Sequence, residues 1–441
     1  MNWTQLLSNC RLGQEERHLE RHDDRTEFKR DHDRLIFSAP FRRLQNKTQV
    51  FPLPGSIFVH NRLTHSLEVA AVGMSLGSDV ARRLCAEQPL LAHTLVPEIG
   101  QIVATACLAH DLGNPPFGHS GEKAIQTFFS EGKGSRLKQQ VSPQFWADVT
   151  RFDGNANAFR LLTHRFNGRR RGGFAMTYST LASIVKYPYP ATECTKKNKF
   201  GFFTSERPAY EAIARTLGIP QTAHDRWARY PLVFLVEAAD DICYEIMDIE
   251  DAYKMKILSY DETSELLFSF FDADTLHRIQ TRMSQEELTD ASERIQYLRA
   301  SVIGLLEKEC VGTFMTHCHD ILDGTYSASL IDDISPLPRQ AWQHCADFSI
   351  QRIYKSQPVL DVELSGYRIM DTLMELMVEA VEHPGRYYSK QLIGRVPRQY
   401  DIENPELEAR LMAVVDYISG MTDVYALDVY QKICGISLPI V

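Results

Sequence analysis

The sequence predicts a mainly helical protein with few, short strands. Two observations carry that expectation. Apolar residues return at the 3.6-residue period of a helix through much of the 441 residues, and the period-two alternation of a half-buried strand is scarce. No internal repeat or low-complexity tract breaks the pattern.

Taken in order, Leu63, Leu67, Ala70, Ala71, Met74 and Val80 place an apolar stripe along a helix from Leu63 to Leu84. Ile99, Ile102, Val103, Ala106 and Ala109 do the same from Glu98 to His110. Pro231, whose fixed φ suits a first helical turn, can open a third helix that continues well past Asp240. Further helices are expected over 284–307, 366–382 and 405–419, the last ended by Gly420. The stretch "GGFAMTYST" (172–180) is the most plausible hairpin fragment. Loops or insertions are expected at 130–144, 167–174 and 187–202, and a soft boundary falls near residue 260.

Hydrophobic residues make up 44% and charged residues 24%, the balance of a soluble globular chain. A net charge of -9 argues against a general nucleic-acid coat, so an anionic ligand would have to be met by a local basic cluster. The run Arg169–Arg171 is most simply a solvated loop, with a phosphate or nucleic-acid contact as the sharper alternative. Nine cysteines lie scattered with no C-x-x-C pair, which reads as free thiols in a reducing compartment. The start has no apolar signal region, and no stretch reaches the roughly 18 apolar residues of a membrane span. A soluble cytoplasmic protein is expected.

The chemistry concentrates in a few places. His-Asp occurs five times, at His22-Asp23, His32-Asp33, His110-Asp111, His224-Asp225 and His319-Asp320. Only His110-Asp111 ends an apolar helix, where an unpaired carboxylate would cost several kcal/mol. A divalent cation is its natural partner, and a buried hydrogen-bonded Asp–His pair is the plainer alternative. His65 stands near the start of another apolar helix, with Arg62 one turn earlier on the same face. Asp240, Tyr244 and Asp248 form a polar line at i, i+4 and i+8 on a third. Imidazole and carboxylate from three helices make a mixed N/O donor set, suited to Mg, Mn, Fe or another first-row metal.

In this order and on such helices, H…HD…D resembles the HD superfamily of metal-dependent phosphohydrolases. The chain is more closely similar to its deoxynucleoside triphosphate triphosphohydrolases, the dGTPase-like family. The stretches that carry the likeness run from residue 30 to 427. They are "RDHDRLIFSAPFRRLQNKTQVF", "HNRLTHSLEVA", "LAHDLGNPPFGHSGE", "FDGNANAFRLLT", "SIVKYPY", "AADDICYEIMDIEDA" and "YISGMTDVYAL".

The resemblance implies an all-α HD-domain fold and one divalent metal ion per subunit, held by His65, His110, Asp111 and Asp240. Asp241 is the rival for the last position. Asp240 is preferred because Tyr244 and Asp248 then fall where the family places its sugar- and phosphate-contacting tyrosine and aspartate. His119 and Glu122 match the family's catalytic histidine and its orienting carboxylate. His119 would act as general acid toward the departing 5′-oxygen, or else help place the water. Arg62 and Lys186 are candidates for the triphosphate, while Gln49, Asn155 and Tyr187 match further substrate contacts. Arg43 braces the same region or forms a structural ion pair. The position after the HD pair where other HD enzymes often carry a further histidine reads Asn114.

The same likeness implies an organisation into an N-terminal segment 1–54 that contributes to the nucleotide site, a phosphohydrolase core 55–260 and a C-terminal helical region 261–441 in the same globular unit. It implies a deoxynucleoside triphosphate as substrate and homo-oligomers, often hexamers. It also implies a dNTP effector or single-stranded DNA as an activator in some members, for which the basic loop 168–173 is a weak candidate. The competing readings are another HD phosphohydrolase, such as a 5′-nucleotidase or phosphodiesterase, or a non-catalytic nucleotide or nucleic-acid sensor.

Overall fold

The computed structural model describes residues 1–16, 24–52, 59–194 and 198–437. Within them helices dominate, and the one sheet is a two-stranded antiparallel hairpin of Gln221–Ala223 and Arg226–Trp227. Among the described residues no helix is long and apolar enough to cross a membrane.

Five of the six expected helices form. Arg62–Glu87 is started by a reciprocal cap, in which the Asn61 side chain accepts the Thr64 N–H and Thr64 holds the Asn61 N–H. Ile99–Ala109 is buried on almost every side and ends at His110. The third helix runs Val233–Lys254 with Leu232 as its N-cap, so Pro231 precedes it by two residues. Gln357–Glu382 and Leu407–Ser419 supply the C-terminal helices, and Gly420 follows the last as expected.

Three expectations are corrected. "GGFAMTYST" forms no hairpin: Tyr178–Ile184 is a helix whose N-cap, Thr177, accepts the Thr180 N–H. The buried Asp31 carboxylate holds both the Thr177 N–H, at 2.8 Å, and its hydroxyl, at 2.7 Å, so a capping contact from far along the chain overrides the β-branched composition. Helix 284–307 is split, because Ala273–Gln285 ends before Glu287 in a left-handed turn and Ala291–Thr316 restarts on Asp290 as N-cap. The 130–144 loop contains a 3-10 turn at Lys133–Gln139 and then the helix Pro143–Thr150. His22-Asp23 and residues 195–197 of the 187–202 segment lie outside the described residues.

Two apolar clusters form the core. The first joins Arg62–Glu87, Ile99–Ala109 and Val233–Lys254 to residues as far as Val359, so its packing runs straight across residue 260. The second gathers Ile125, Phe128 and Phe129 of Gly118–Ser130 with Met370, Met374 and the 411–429 helices. Residues 110–118 pass from one cluster to the other. Gly113 lies where a Cβ would overlap the Gly154 carbonyl and the Ala158 nitrogen, so its role is close approach of two backbones. The helix itself has ended four residues earlier, at Ala109. Phe117 and Gly118 are both left-handed and turn the chain into the next helix.

Candidate active site

The three helices of the first cluster bring four side chains together. His65 Nε2 lies 3.1 Å from Asp240 Oδ1, and His110 Nε2 lies 3.3 Å from the same oxygen. Asp111 Oδ1 is 3.6 Å from His110 Nε2, and the two imidazoles meet edge to face at 5.4 Å. Among the described residues, His65, His110 and Asp111 form the one group with metal-holding spacing. Asp240 faces both histidines, and no contact is seen between them and Asp241.

Each member is oriented from behind. His110 Nδ1 stands 2.5 Å from the Cys107 carbonyl oxygen, a contact that assigns the proton to Nδ1 and leaves Nε2 toward the cluster. Asp111 accepts from Arg62 Nη1 at 2.7 Å through Oδ2, and Oδ1 takes the Asn114 amide. The Asn114 that replaces a histidine is therefore bound to the HD aspartate. Burial opposes charge throughout, yet Asp111 and Asp240 raise His110 to about 9. Burial also opposes charge on the carboxylates, but Arg62 and the histidines hold Asp111 low, and the histidines hold Asp240 well below the usual range. Asp241 moves the other way: burial pushes it up to about 8 despite Lys186.

The second cluster supplies a histidine–carboxylate pair. His119 and Glu122 share one face of Gly118–Ser130, with Nδ1 and Oε2 3.3 Å apart. The imidazole is 68% exposed and the carboxylate buried, so the ring reaches outward from a fixed base. Glu122 Oε1 accepts the Gly154 N–H at 2.7 Å, at the first residue of the helix Gly154–Thr163. Burial would raise Glu122, but His119, Lys199 and Gly154 outweigh it and hold it low.

Tyr244 stacks on Tyr354 at 5.8 Å, and the Tyr354 hydroxyl donates to Asp248 Oδ2 at 2.9 Å. Burial drives the Asp248 carboxyl well above its usual range. Lys186 pairs with Glu237 at 3.1 Å and lies over the Tyr187 ring. Asn155 donates to Asp153 at 2.8 Å, and Gln49 keeps a buried Oε1 with no partner. Arg43 is partly buried beside Tyr400 and Arg169, while Arg169–Arg171 are exposed.

Sequence reasoning assigned no role to Tyr354, which reaches Asp248 from the segment before Gln357–Glu382, nor to Lys199, 3.7 Å from Glu122 and 3.5 Å from Asp153. No local signal marks Tyr354. Lys199 follows the "KYPY" stretch but sits in a segment read as a loop. Lys47 and Asp423 were also without a role. Buried Lys47 donates to the Asn114 and Ser419 carbonyls, and Asp423 accepts from Thr48 and Phe117.

A helical fold that gathers His65, His110, Asp111 and Asp240 from three helices defines an HD-domain phosphohydrolase, and residues 62–145 match the HD domain model. Residues 334–432 match the phosphohydrolase-associated domain. The chain belongs to the deoxyguanosinetriphosphate triphosphohydrolase-like family. It is 38% identical to a deoxyguanosinetriphosphate triphosphohydrolase-like protein of Synechocystis sp., over 99% of this chain and 100% of that protein. Identity is 35% to the protein of the same name from Pseudomonas aeruginosa, over the full length of both. A deoxyguanosinetriphosphate triphosphohydrolase of Yersinia pestis is 28% identical, over 92% of this chain and 93% of its own.

Proposed function

We propose that the chain hydrolyses deoxynucleoside triphosphates, dGTP among them, at the α-phosphorus to give a deoxynucleoside and tripolyphosphate. The observation that carries this reading is the His119–Glu122 pair standing at the end of the segment that begins with His110 and Asp111. A purely structural metal site would need no such second histidine and carboxylate. The relatives' shared name supplies the substrate class.

His65, His110, Asp111 and Asp240 would hold one divalent cation, with Mg and Mn as candidates. Their mixed nitrogen and oxygen donors suit such an ion, and His110 Nε2 is a buried atom with no hydrogen-bond partner of its own. When bound, the ion supplies Lewis acidity toward a phosphoryl oxygen and lowers the pKa of a coordinated water.

The protein's own groups do the rest. Water oxygen joins the α-phosphorus and its displaced proton passes to bulk solvent, the bond to the 5′-oxygen breaks, and His119 gives that oxygen a proton from Nε2 while Glu122 steadies Nδ1. Arg62 has given one Nη to Asp111, and its Nε, buried without a partner, remains for a phosphate oxygen. Lys186 and Lys199 add positive charge near the triphosphate. Tyr244, backed by Tyr354, packs under the deoxyribose and leaves no room for a 2′-hydroxyl. Asp248 accepts from the 3′-hydroxyl, and Gln49, Asn155 and Tyr187 line the sugar and base.

The test is incubation with each dNTP and NTP in Mg or Mn, with products resolved by ion-pair chromatography. Deoxynucleoside and tripolyphosphate are expected, with NTPs left intact. Diphosphate or orthophosphate as the primary product overturns the reading.

A further inference from the structure

A cavity of about 490 Å³ opens between the helices Pro143–Thr150 and Gly154–Thr163 and the C-terminal residues 399–416. None of the residues assigned above to the metal, the proton or the nucleotide lines it. Phe145, Phe166, Met412 and Ala413 make its apolar walls. Asp148 lines it too, although only 2% exposed. Its Oδ2 accepts the Thr204 N–H at 2.9 Å, whereas Oδ1 is buried and accepts no hydrogen bond. Burial pushes this carboxyl up to about 7 against the pull of Thr204. A buried oxygen without a donor is costly, and a ligand N–H would remove the cost.

The other charges fix the sign of that ligand. Arg160 gives Nε and Nη2 to the two oxygens of Asp416, both at 2.8 Å, and Nη1 to Glu206 at 2.6 Å. It has little left for a phosphate or carboxylate. Asp401 and Glu408 add negative charge to the lining, and exposed Arg165 is the remaining full cation there. The spacing of metal ligands is met, among the described residues, only at His65, His110 and Asp111. The volume falls in the range of small-molecule sites.

We propose that this cavity is a second ligand site that takes a small organic cation. The cation's N–H groups meet Asp148 Oδ1, and its flat or aliphatic body lies against Phe145, Phe166 and Met412. The occupant would abut Gly154–Thr163, the helix whose first N–H holds Glu122.

Benzamidine is the probe, with benzoate as its anionic counterpart, and titration calorimetry on the full chain is the readout. Benzamidine should bind saturably, and Asp148→Asn should weaken it about tenfold or more. Ala413→Phe, which fills the cavity and leaves the carboxylate in place, should abolish binding. Benzoate should not compete. The two variants act by different means, so a folding failure in one leaves the other decisive, and thermal melts identify it. Equal affinity in Asp148→Asn, unchanged binding in Ala413→Phe, or no benzamidine binding up to about 10 mM overturns the proposal.

Discussion

Glu122 Oε2 lies 3.3 Å from His119 Nδ1, one turn apart on the same helix, while Glu122 Oε1 is anchored by the Gly154 N–H. The carboxylate is thus fixed from behind and the imidazole is left to face solvent. Glu122→Gln keeps the shape but removes the charge that steadies a protonated ring. Turnover should fall about 10²-fold, and His119→Ala should lose at least as much. Elemental analysis of both variants should show the metal content of the parent, since neither side chain is among the candidate ligands. Wild-type turnover in Glu122→Gln would remove the pair from the mechanism.

Adjacent carboxylates on the third helix point to opposite outcomes. Asp240 faces His65 and His110, whereas Asp241 has Lys186 and Glu237 as its charged neighbours. Asp240→Asn should therefore deplete bound Mn in equilibrium dialysis by an order of magnitude or more. Asp241→Asn should change it less than about twofold, because that carboxyl is already held near neutrality by burial. The reverse ranking would transfer the ligand role to Asp241.

His60 sits just before the helix that carries His65. Its Nδ1 is 2.8 Å from Asp251 Oδ2, and its Nε2 is 3.1 Å from Glu68. Burial opposes the charge, but Asp251 and Glu68 raise the imidazole to about 10. A folded pKa above the unfolded one gives stability that is complete below about 6.5 and lost as pH rises through about 10. The stability gap between the parent and His60→Gln should then be on the order of 3 kcal/mol at pH 6 and shrink steadily toward pH 10. Urea midpoints at matched pH values give the gap, and one that widens with pH would contradict the ion pairing.

That His65, His110, Asp111 and Asp240 gather, and that His119 meets Glu122, was legible because the signals are local. His110-Asp111 closes an apolar helix, His65 and Asp240 interrupt apolar stripes, and His119 and Glu122 are one turn apart in a single stretch. Tyr354 and Lys199 were not legible, since each meets its partner across a long loop of chain and neither breaks a local pattern. The misread hairpin has the same origin. Thr177 to Thr180 look like strand residues until Asp31, 146 positions away, caps them as a helix start. Gly113 shows the limit from another side: a glycine past a helix suggests a cap, but the backbone of Gly154–Thr163 pressing on it is a tertiary fact.

Asp423 holds the turn that leads to His119 from far along the chain. Its Oδ1 accepts the Phe117 N–H at 2.9 Å, and its Oδ2 accepts the Thr48 N–H at 2.8 Å and the Thr48 hydroxyl. Phe117 is left-handed and lies two residues before His119, and Thr48 precedes Gln49, so one buried carboxylate ties the turn to the N-terminal segment. Asp423→Ala leaves two backbone donors without their acceptor, at roughly 1–3 kcal/mol each when they stay buried. A loss of about 3 kcal/mol in the free energy of unfolding, read from chemical denaturation, is expected. Asp423→Asn, which keeps one acceptor oxygen, should lose about half of that. Below the melting range, turnover of Asp423→Ala should fall more than its metal content, because the released turn carries His119 and not the His65–His110 cluster. Stability within about 0.5 kcal/mol of the parent would show that the clamp contributes nothing.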